Sequence, residues 1–598
     1  MEKNLTKFYE RLQHPRPQMI RENWMDLNGL WDFCFDDDNT GLTENAFLAE
    51  DFFDRQICVP YAYQTAKSLI GLNEDHPIVW YRRPLPVTRQ NGRRYLLHFE
   101  AVDYACDVFV NDRHVFHHEG GHTPFTVDVT EYISESSTLY VRAEDFNRTS
   151  QPIGKQSWKQ ENFLCWYTRT TGIWQQVWLE ETGQQYLREV RMIPDIDNAS
   201  LDLDMFVEGA GQDTQICGFV RFRGQRITSF ATAVKSGRAR LSVDVSSEDA
   251  NFRLHFWSPA DPNLYDIEFE VLERGVLMDH VSSYFGMRDI AVKGNKVFLN
   301  NQEFYQRLVL DQGYWSDGGM TATPEQLLAD LTKIREMGFN GARKHQKIED
   351  ARYMYLCDAM GLVMWAELPS FFEFSHISSE NVMKEFHAFA AKHINHPSVI
   401  AYTLMNESWG VNEIYRDKAQ QAFVNGLYWM MRSLDPSRLV IGNDGWEQTM
   451  SDIVAVHDYN SDPESLMASY PDIETAAAGS PSRTSLRHCF AQNHAYSGQP
   501  FMISEFGGVA YDTGTRSIDS SWGYGKRLEG QEAVLEKMAG LCRAVHSIDG
   551  LCGFCYTQLS DVEQEVNGLL DHNHEYKFDP EAIRLMMAGD KENGFLFL

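Results

Sequence analysis

The spacing of apolar residues changes character near residue 320. Before it, short segments alternate apolar and polar side chains, as at 94–99 (Arg-Tyr-Leu-Leu-His-Phe) and 105–110 (Ala-Cys-Asp-Val-Phe-Val), and are broken by Asn111-Asp112 and Gly120-Gly121. A period of two between turn residues predicts strands with one buried face. Runs at 216–222, 239–245, 252–256 and 267–272 continue the pattern and predict a second β unit, a sandwich of roughly 100 residues. Beyond 320, Thr323-Pro324-Glu325-Gln326 is a capping box with Pro at the first helical position. Leu327, Leu328, Leu331 and Ile334 follow at helical spacing, and Gly338 stands as a stop. Apolar runs at 304–310, before Arg343, and at 362–365, 399–405, 439–442, 453–456, 501–504 and 551–556 alternate with helical patterns such as 419–434 and 531–546. Eight strands separated by helices predict a (β/α)8 barrel, whose chemistry sits at the C-terminal strand ends.

The length of 598 residues allows several such units. A net charge of −31 argues against nucleic acid and anionic membranes as partners, since phosphate binding needs clustered Lys and Arg. Aromatic residues make up 13% of the chain, with 14 Trp and 26 Tyr, rings that serve sugars as flat platforms and also fill large cores. The opening residues lack the apolar centre of a secretory signal, no long uncharged apolar run exists, and ten scattered cysteines suit free thiols; a cytoplasmic protein is expected. Cys552 and Cys555 have a redox-type spacing but lie inside an apolar run with no second pair nearby, which favours strand packing.

Two apolar runs end on a glutamate: Leu404-Met405-Asn406-Glu407-Ser408-Trp409-Gly410 on the fourth strand and Phe501-Met502-Ile503-Ser504-Glu505-Phe506-Gly507-Gly508 on the seventh. A carboxylate at the rim of a core is costly and is kept mainly where charge is used, although each alone could be a plain strand cap. The pair points to acid/base and nucleophile chemistry on a glycosidic bond.

These motifs resemble glycoside hydrolase family 2, the group of β-galactosidases, β-glucuronidases and β-mannosidases. The resemblance rests on residues 21–33 (Arg-Glu-Asn-Trp-Met-Asp-Leu-Asn-Gly-Leu-Trp-Asp-Phe), Val79-Trp80-Tyr81-Arg82-Arg83, residues 172–177 (Gly-Ile-Trp-Gln-Gln-Val), Tyr284-Phe285-Gly286-Met287-Arg288, Asn406-Glu407 and Ser504-Glu505-Phe506-Gly507. It implies an N-terminal β jelly-roll (1–183), an immunoglobulin-like β-sandwich (184–288) and a C-terminal (β/α)8 TIM barrel (289–598). It further implies a retaining exo-glycosidase with Glu505 as nucleophile and Glu407 as acid/base. The acid requires a proton at the start, so Glu407 is expected to titrate above the usual carboxylate range. Asn406 would hold the sugar 2-hydroxyl and Arg343 the nucleophile. Tyr556 stands where relatives carry a Trp platform, while His457, Tyr459, Trp446, Asp311 and Glu367 close other strands as sugar-contact candidates.

Departures from the family pattern bear on the sugar. Arg343-Lys344-His345-Gln346-Lys347 places Gln346 where relatives carry a histidine, and Phe371 and Glu373 stand where some β-galactosidases hold magnesium; no metal or other cofactor is expected. β-Glucuronidases read the sugar carboxylate with an Asn-x-Lys near the chain end. The corresponding stretch here is Glu565-Val566-Asn567-Gly568, whose glutamate would repel a uronate. A neutral, β-galactoside-type sugar is the expectation. The alternatives are a β-uronidase using Arg343, Lys344 or Lys347, an exo-furanosidase releasing galactofuranose or arabinose, and a carbohydrate-binding protein without catalysis. The expected partner is a small glycoside, and self-association remains open.

Overall fold

The computed structural model describes residues 2–246, 253–480, 486–514 and 521–589. The first β unit is a jelly-roll of two antiparallel sheets, one of six strands and one of four, running from Trp24–Asp26 to Val177–Gly183. Trp31, Phe33, Tyr81, Leu97, Val108 and Val141 alternate inward and fill the space between the sheets. The second unit packs a three-stranded sheet on a four-stranded one. Tyr265–Glu273 shows why: its buried positions recur every second residue and meet Ile216, Val220 and Val281. The helix Glu2–Gln13 stands apart from the jelly-roll in which 1–183 would place it. Its Phe8 ring packs 5.6 Å from Tyr355 on a barrel helix, and Arg11 donates to the Ser283 carbonyl of the sandwich at 2.8 Å.

The barrel strands are β1 (Gln306–Asp311), β2 (Gly341–Lys344), β3 (Val363–Glu367), β4 (Val399–Thr403), β5 (Leu439–Ile441), β6 (Val454–Asp458), β7 (Phe501–Gly507) and β8 (Leu551–Thr557). They run parallel in the order β5-β4-β3-β2-β1-β8-β7-β6, and the segment after β5 meets β6 through an isolated bridge from Gly445 to Val456. Leu308, Leu310, Val363, Trp365, Ala401, Ile441, Ala455 and Met502 fill the interior, so the barrel is a packed core and not a pore. A hairpin at 290–303 adds Ile290, Val297 and Leu299 to that core. The surrounding helices include α1 (Pro324–Glu336), α2 (Ala351–Met360), α3 (His376–His393), α4 (Lys418–Leu434) and α5 (Gln531–Ser547). Helix α1 starts on the predicted capping box of Thr323 and Gln326 and stops at Gly338, whose φ of +84° suits glycine.

All ten cysteines are free, and Cys552 and Cys555 are buried in β8. Among the described residues no helix is long and apolar enough to cross a membrane. A cavity of about 1070 Å³ lies at the N-terminal ends of β1 and β8, lined by Val297, Phe304, Pro463, Met467 and Cys542; it is remote from Glu407 and Glu505.

Candidate active site

Local backbone geometry aims both glutamates. Beyond β4, Glu407 N–H donates to the Asp444 carbonyl and Asp444 N–H to that of Met405, each at 2.8 Å, so the chain stays paired past the last regular residue. Glu407 and Ser408 then turn with φ of +53° and +58°, left-handed values that non-glycine residues adopt at a cost. That turn is pinned by Asn443 Oδ1, which accepts from Ser408 N–H at 3.1 Å, and by Glu447, which accepts from the Ser408 hydroxyl at 2.8 Å. On β7 the register slips against both neighbours, which sets Glu505 beside His457 of β6. Such a bulge re-aims a side chain toward the barrel mouth.

Arg343, at the end of β2, is fully buried and ties the site together. Its Nε donates to Glu367 at 2.7 Å, one terminal nitrogen to Glu505 at 2.9 Å and the other to Asn406 Oδ1 at 2.7 Å; Asp444 lies 2.9 Å from the first of these. His457 stands between the two glutamates, with Nδ1 2.8 Å from Glu407 Oε1 and Nε2 3.3 Å from Glu505 Oε1 and 3.2 Å from Asp444. The Tyr459 hydroxyl donates to Glu505 Oε2, and the indole of Trp409 donates to Glu407 Oε2 at 3.1 Å. The Glu407 carboxylate keeps 16% exposure while His457 keeps none, so the site opens on the Glu407 side.

The charges follow from this packing. Burial alone would raise the Glu407 carboxyl, but the hydrogen bond and charge of His457, with Lys155 and His345 beyond, outweigh it and hold the group below the usual carboxylate range. Burial would lower His457, yet Glu505, Asp444 and Glu407 around it push it up to about 10. This direction runs against the expectation of a raised Glu407, because the imidazole bonded to it favours its charged form. Asp444, which burial would raise, is held at about 2 by Arg343 and His457.

The remaining predicted positions separate clearly. Trp446 lies 5.7 Å from the His457 ring, at the mouth. Glu367 sits beneath Arg343, fully buried, with His345 3.0 Å from its other oxygen. Asp311 is spent on Lys344 at 2.9 Å, the Tyr353 hydroxyl at 2.8 Å and the Gly313 N–H at 2.9 Å. Lys344 and Lys347 share Glu349, at 2.7 and 2.8 Å, and Lys347 also donates to two carbonyls, so neither is free to serve a sugar carboxylate. Tyr556 lies outside the site: with Phe506 and Phe554 it packs in the layer between strands and helices, because alternation on β8 turns it away from the barrel axis. Its neighbour Thr557 is the residue that reaches the site, 3.1 Å from the Tyr459 hydroxyl.

Asp444, Trp409 and Lys155 were not singled out from the sequence. Asp444 follows β5 in Gly442-Asn443-Asp444-Gly445, a strand-end carboxylate of the same kind as the two glutamates, and carried a readable signal. Lys155 carried none, since it arrives from the first β unit. Its buried side chain lies 5.5 Å over the Trp166 ring, and its ammonium titrates high because Cys165, Glu565 and Glu407 outweigh burial. Glu565 is also buried; it accepts from the Tyr167 hydroxyl at 2.6 Å and from Asn567 at 3.0 Å, and burial pushes it up. Among the described residues one trio offers metal-ligand atoms within 4.8 Å of one another: Glu407, His457 and Glu505 themselves. Arg343 and the two imidazole nitrogens already bridge those carboxylates, so the atoms a cation would use as ligands are taken up by one another.

A (β/α)8 barrel with two facing glutamates at its C-terminal rim, preceded by a jelly-roll and a sandwich, is the layout of a carbohydrate-processing protein. The chain belongs to the glycosyl hydrolases of family 2: residues 24–182 match that family's sugar binding domain, 185–288 a further model described simply as glycosyl hydrolases family 2, and 290–517 its TIM barrel domain. It is similar to a putative beta-glucuronidase of Formosa agariphila, 27% identical over 60% of this chain and 44% of that one. It is also similar to a beta-galactosidase of Thermoanaerobacter pseudethanolicus, 23% identical over 66% and 51%. The chain thus spans about half the length of these two relatives. In fold it is similar to a beta-galacturonidase from Eisenbergiella tayi (TM-score 0.73, 18% identity, 96% and 97% of the two chains). A beta-D-glucuronidase of Dictyoglomus thermophilum is comparable (TM-score 0.76, 17% identity, 96% and 98%).

Proposed function

We propose that the chain is a retaining exo-glycosidase acting on a neutral, β-galactoside-type sugar. The supporting observation is the separation of the glutamates: carboxylate oxygens of Glu407 and Glu505 lie within 4.8 Å. That spacing suits direct attack by one carboxylate, whereas an inverting pair stands about 6.5–9.5 Å apart to admit water between substrate and base. Glu505, oriented by Arg343 and Tyr459, attacks the anomeric carbon. The single proton of the Glu407–His457 pair moves along their 2.8 Å bond as the substrate strips water from Glu407, and passes to the leaving oxygen. Glu407 then takes a proton from the water that releases the sugar. With its amide oxygen held by Arg343, Asn406 has its NH2 group left to donate to the sugar.

The charge balance supports a neutral sugar. Glu367, Glu407, Asp444, Glu505 and Glu565 face Arg343, His457 and Lys155, so a uronate would add negative charge to an already negative pocket. One observation favours a second reading, a β-uronidase: the Lys155 ammonium is buried near Glu407 and forms no ion pair with a carboxylate among the described residues, so it has charge to give. Nitrophenyl β-galactopyranoside, β-galactofuranoside, β-glucuronide, β-galacturonide, β-mannoside and α-arabinosides, tested on wild type, Glu505→Gln and Glu407→Gln, decide between the readings. Cleavage of the galactoside, abolished in Glu505→Gln, upholds the proposal, and preferential cleavage of a uronide overturns the glycone. No cleavage, with a sugar that still raises the melting temperature, would make the chain a binding protein.

A further inference from the structure

The first β unit reaches into the site through residues 147–171. Phe372 and Glu373 N–H groups donate to the Thr149 carbonyl at 2.7 and 3.0 Å, and Ile153 and Gly154 N–H groups donate to the Ser370 carbonyl at 3.1 and 3.0 Å. Gly154 takes φ of +62°, and a Cβ there would stand 2.2 Å from the Gln346 carbonyl oxygen, so the approach to the barrel requires glycine. The loop is therefore docked against the loops that follow β2 and β3, and it carries Trp158, Phe163 and Trp166.

These rings join Phe372 and Trp409 of the barrel in one cluster. Trp166 is buried at its base, 5.0 Å and nearly perpendicular to Trp409 and 4.9 Å from Phe163; Trp158 lies 4.4 Å from Phe372, which lies 6.0 Å from Trp409. Four of the five, all but Trp166, remain partly exposed. Trp409 is also the residue whose indole donates to Glu407. The group that protonates a leaving oxygen must lie next to whatever hangs from that oxygen, so the cluster occupies the leaving-group side of the scissile bond.

We infer that Trp158, Phe163, Phe372 and Trp409 form a leaving-group subsite, assembled across the domain boundary, that binds a ring with a flat apolar face by stacking and edge contacts. Such a face belongs to an aryl aglycone or to a pyranose. The inference rests on Glu407 as the acid/base group. Its test compares wild type with Trp158→Ala and, independently, Phe372→Leu, neither of which touches the carboxylates, on one glycone carrying a methyl, a nitrophenyl or a glucosyl leaving group. The expected result is a loss of about tenfold in kcat/KM for a ring leaving group with less than twofold change for methyl. The arm that suffers more, nitrophenyl or glucosyl, identifies the ring.

Equal losses on all three substrates would reduce the cluster to a structural wall, and no loss on any would remove its role. A separate arm titrates 4-nitrophenol and glucose into Glu505→Gln and reads tryptophan fluorescence. Binding weakened about tenfold by Trp158→Ala supports the subsite even if no glycoside is cleaved, and absence of binding overturns it.

Discussion

Glu385, on α3, offers a quantitative test of how the first β unit is joined to the barrel. Its carboxyl is fully buried, accepts the His122 N–H of the jelly-roll at 3.2 Å with one oxygen, and has no hydrogen-bond partner on the other. The adjacent Lys384 is committed to Glu119 and Glu380 on the surface. Burial without a cation pushes Glu385 from 4.5 up to about 8. The folded protein therefore holds a proton that the unfolded chain releases above 4.5. The contribution of this group is fully present below 4.5 and is lost as pH rises through about 8. The loss is about 1.4 kcal/mol per pH unit and at most about 5 kcal/mol across that window. Glu385→Gln keeps the shape and removes the titration, so it should match wild type in urea midpoint at pH 5 and exceed it clearly at pH 9. Asp103 and Asp145 are raised by the same burial and share the sign, which is why the difference between the two proteins, and not the wild-type curve alone, is the readout. Parallel pH curves for the two proteins would refute the reasoning, and a Gln variant weaker at pH 9 would show that an ionised Glu385 is stabilised by something other than this packing.

Three further outcomes follow from the site. His457→Asn removes the group that stores the proton of the pair: the basic limb of kcat/KM, which the raised imidazole sets well above 6.5, should move down toward the carboxylate range while folding is kept; an unmoved limb would place the proton elsewhere. Arg343→Met leaves Glu367, Asp444 and Glu505 without their shared cation, and an apparent stability loss of about 3–5 kcal/mol by urea unfolding is expected at pH 7, shrinking as acid protonates the carboxylates. Lys155→Met should cost a uronide at least tenfold in kcat/KM and a neutral glycoside little if Lys155 serves a sugar carboxylate, and equal losses on both would reject that role.

Much of the barrel was legible because strand and helix periods differ and because α1 carries its own start and stop signals. All eight predicted strand runs coincide with β1–β8 within a few residues. Strand-end position also singled out Glu407, Glu505, His457 and Tyr459, and the family resemblance added Arg343; the fold gathers these five into one hydrogen-bonded group. What the sequence concealed depends on parity and on distance in the chain. Tyr556 and Thr557 differ by one residue and therefore face opposite sides of the sheet, and a register slip on β7 cannot be read from apolar spacing. Lys344 and Lys347 read as an available basic cluster because their neutralising partners, Asp311 and Glu349, declare themselves only in the fold. Lys155 and the aromatic loop stand some 250 residues before Glu407 in the chain, beyond any local pattern. The downward pull on Glu407 was concealed for the same reason: burial is visible in an apolar run, but a histidine 50 residues away that opposes it is not.

The central claim, that Glu505 becomes bonded to the sugar, is met most directly by mass spectrometry of the protein after reaction with an activated 2-deoxy-2-fluoro glycoside of the glycone that the nitrophenyl panel selects. The account predicts one added glycosyl mass, carried on the peptide containing Glu505, slow to hydrolyse and absent in Glu505→Gln. A label on another residue, or steady turnover of a good substrate with no trapped species and inversion at the anomeric carbon, would contradict it.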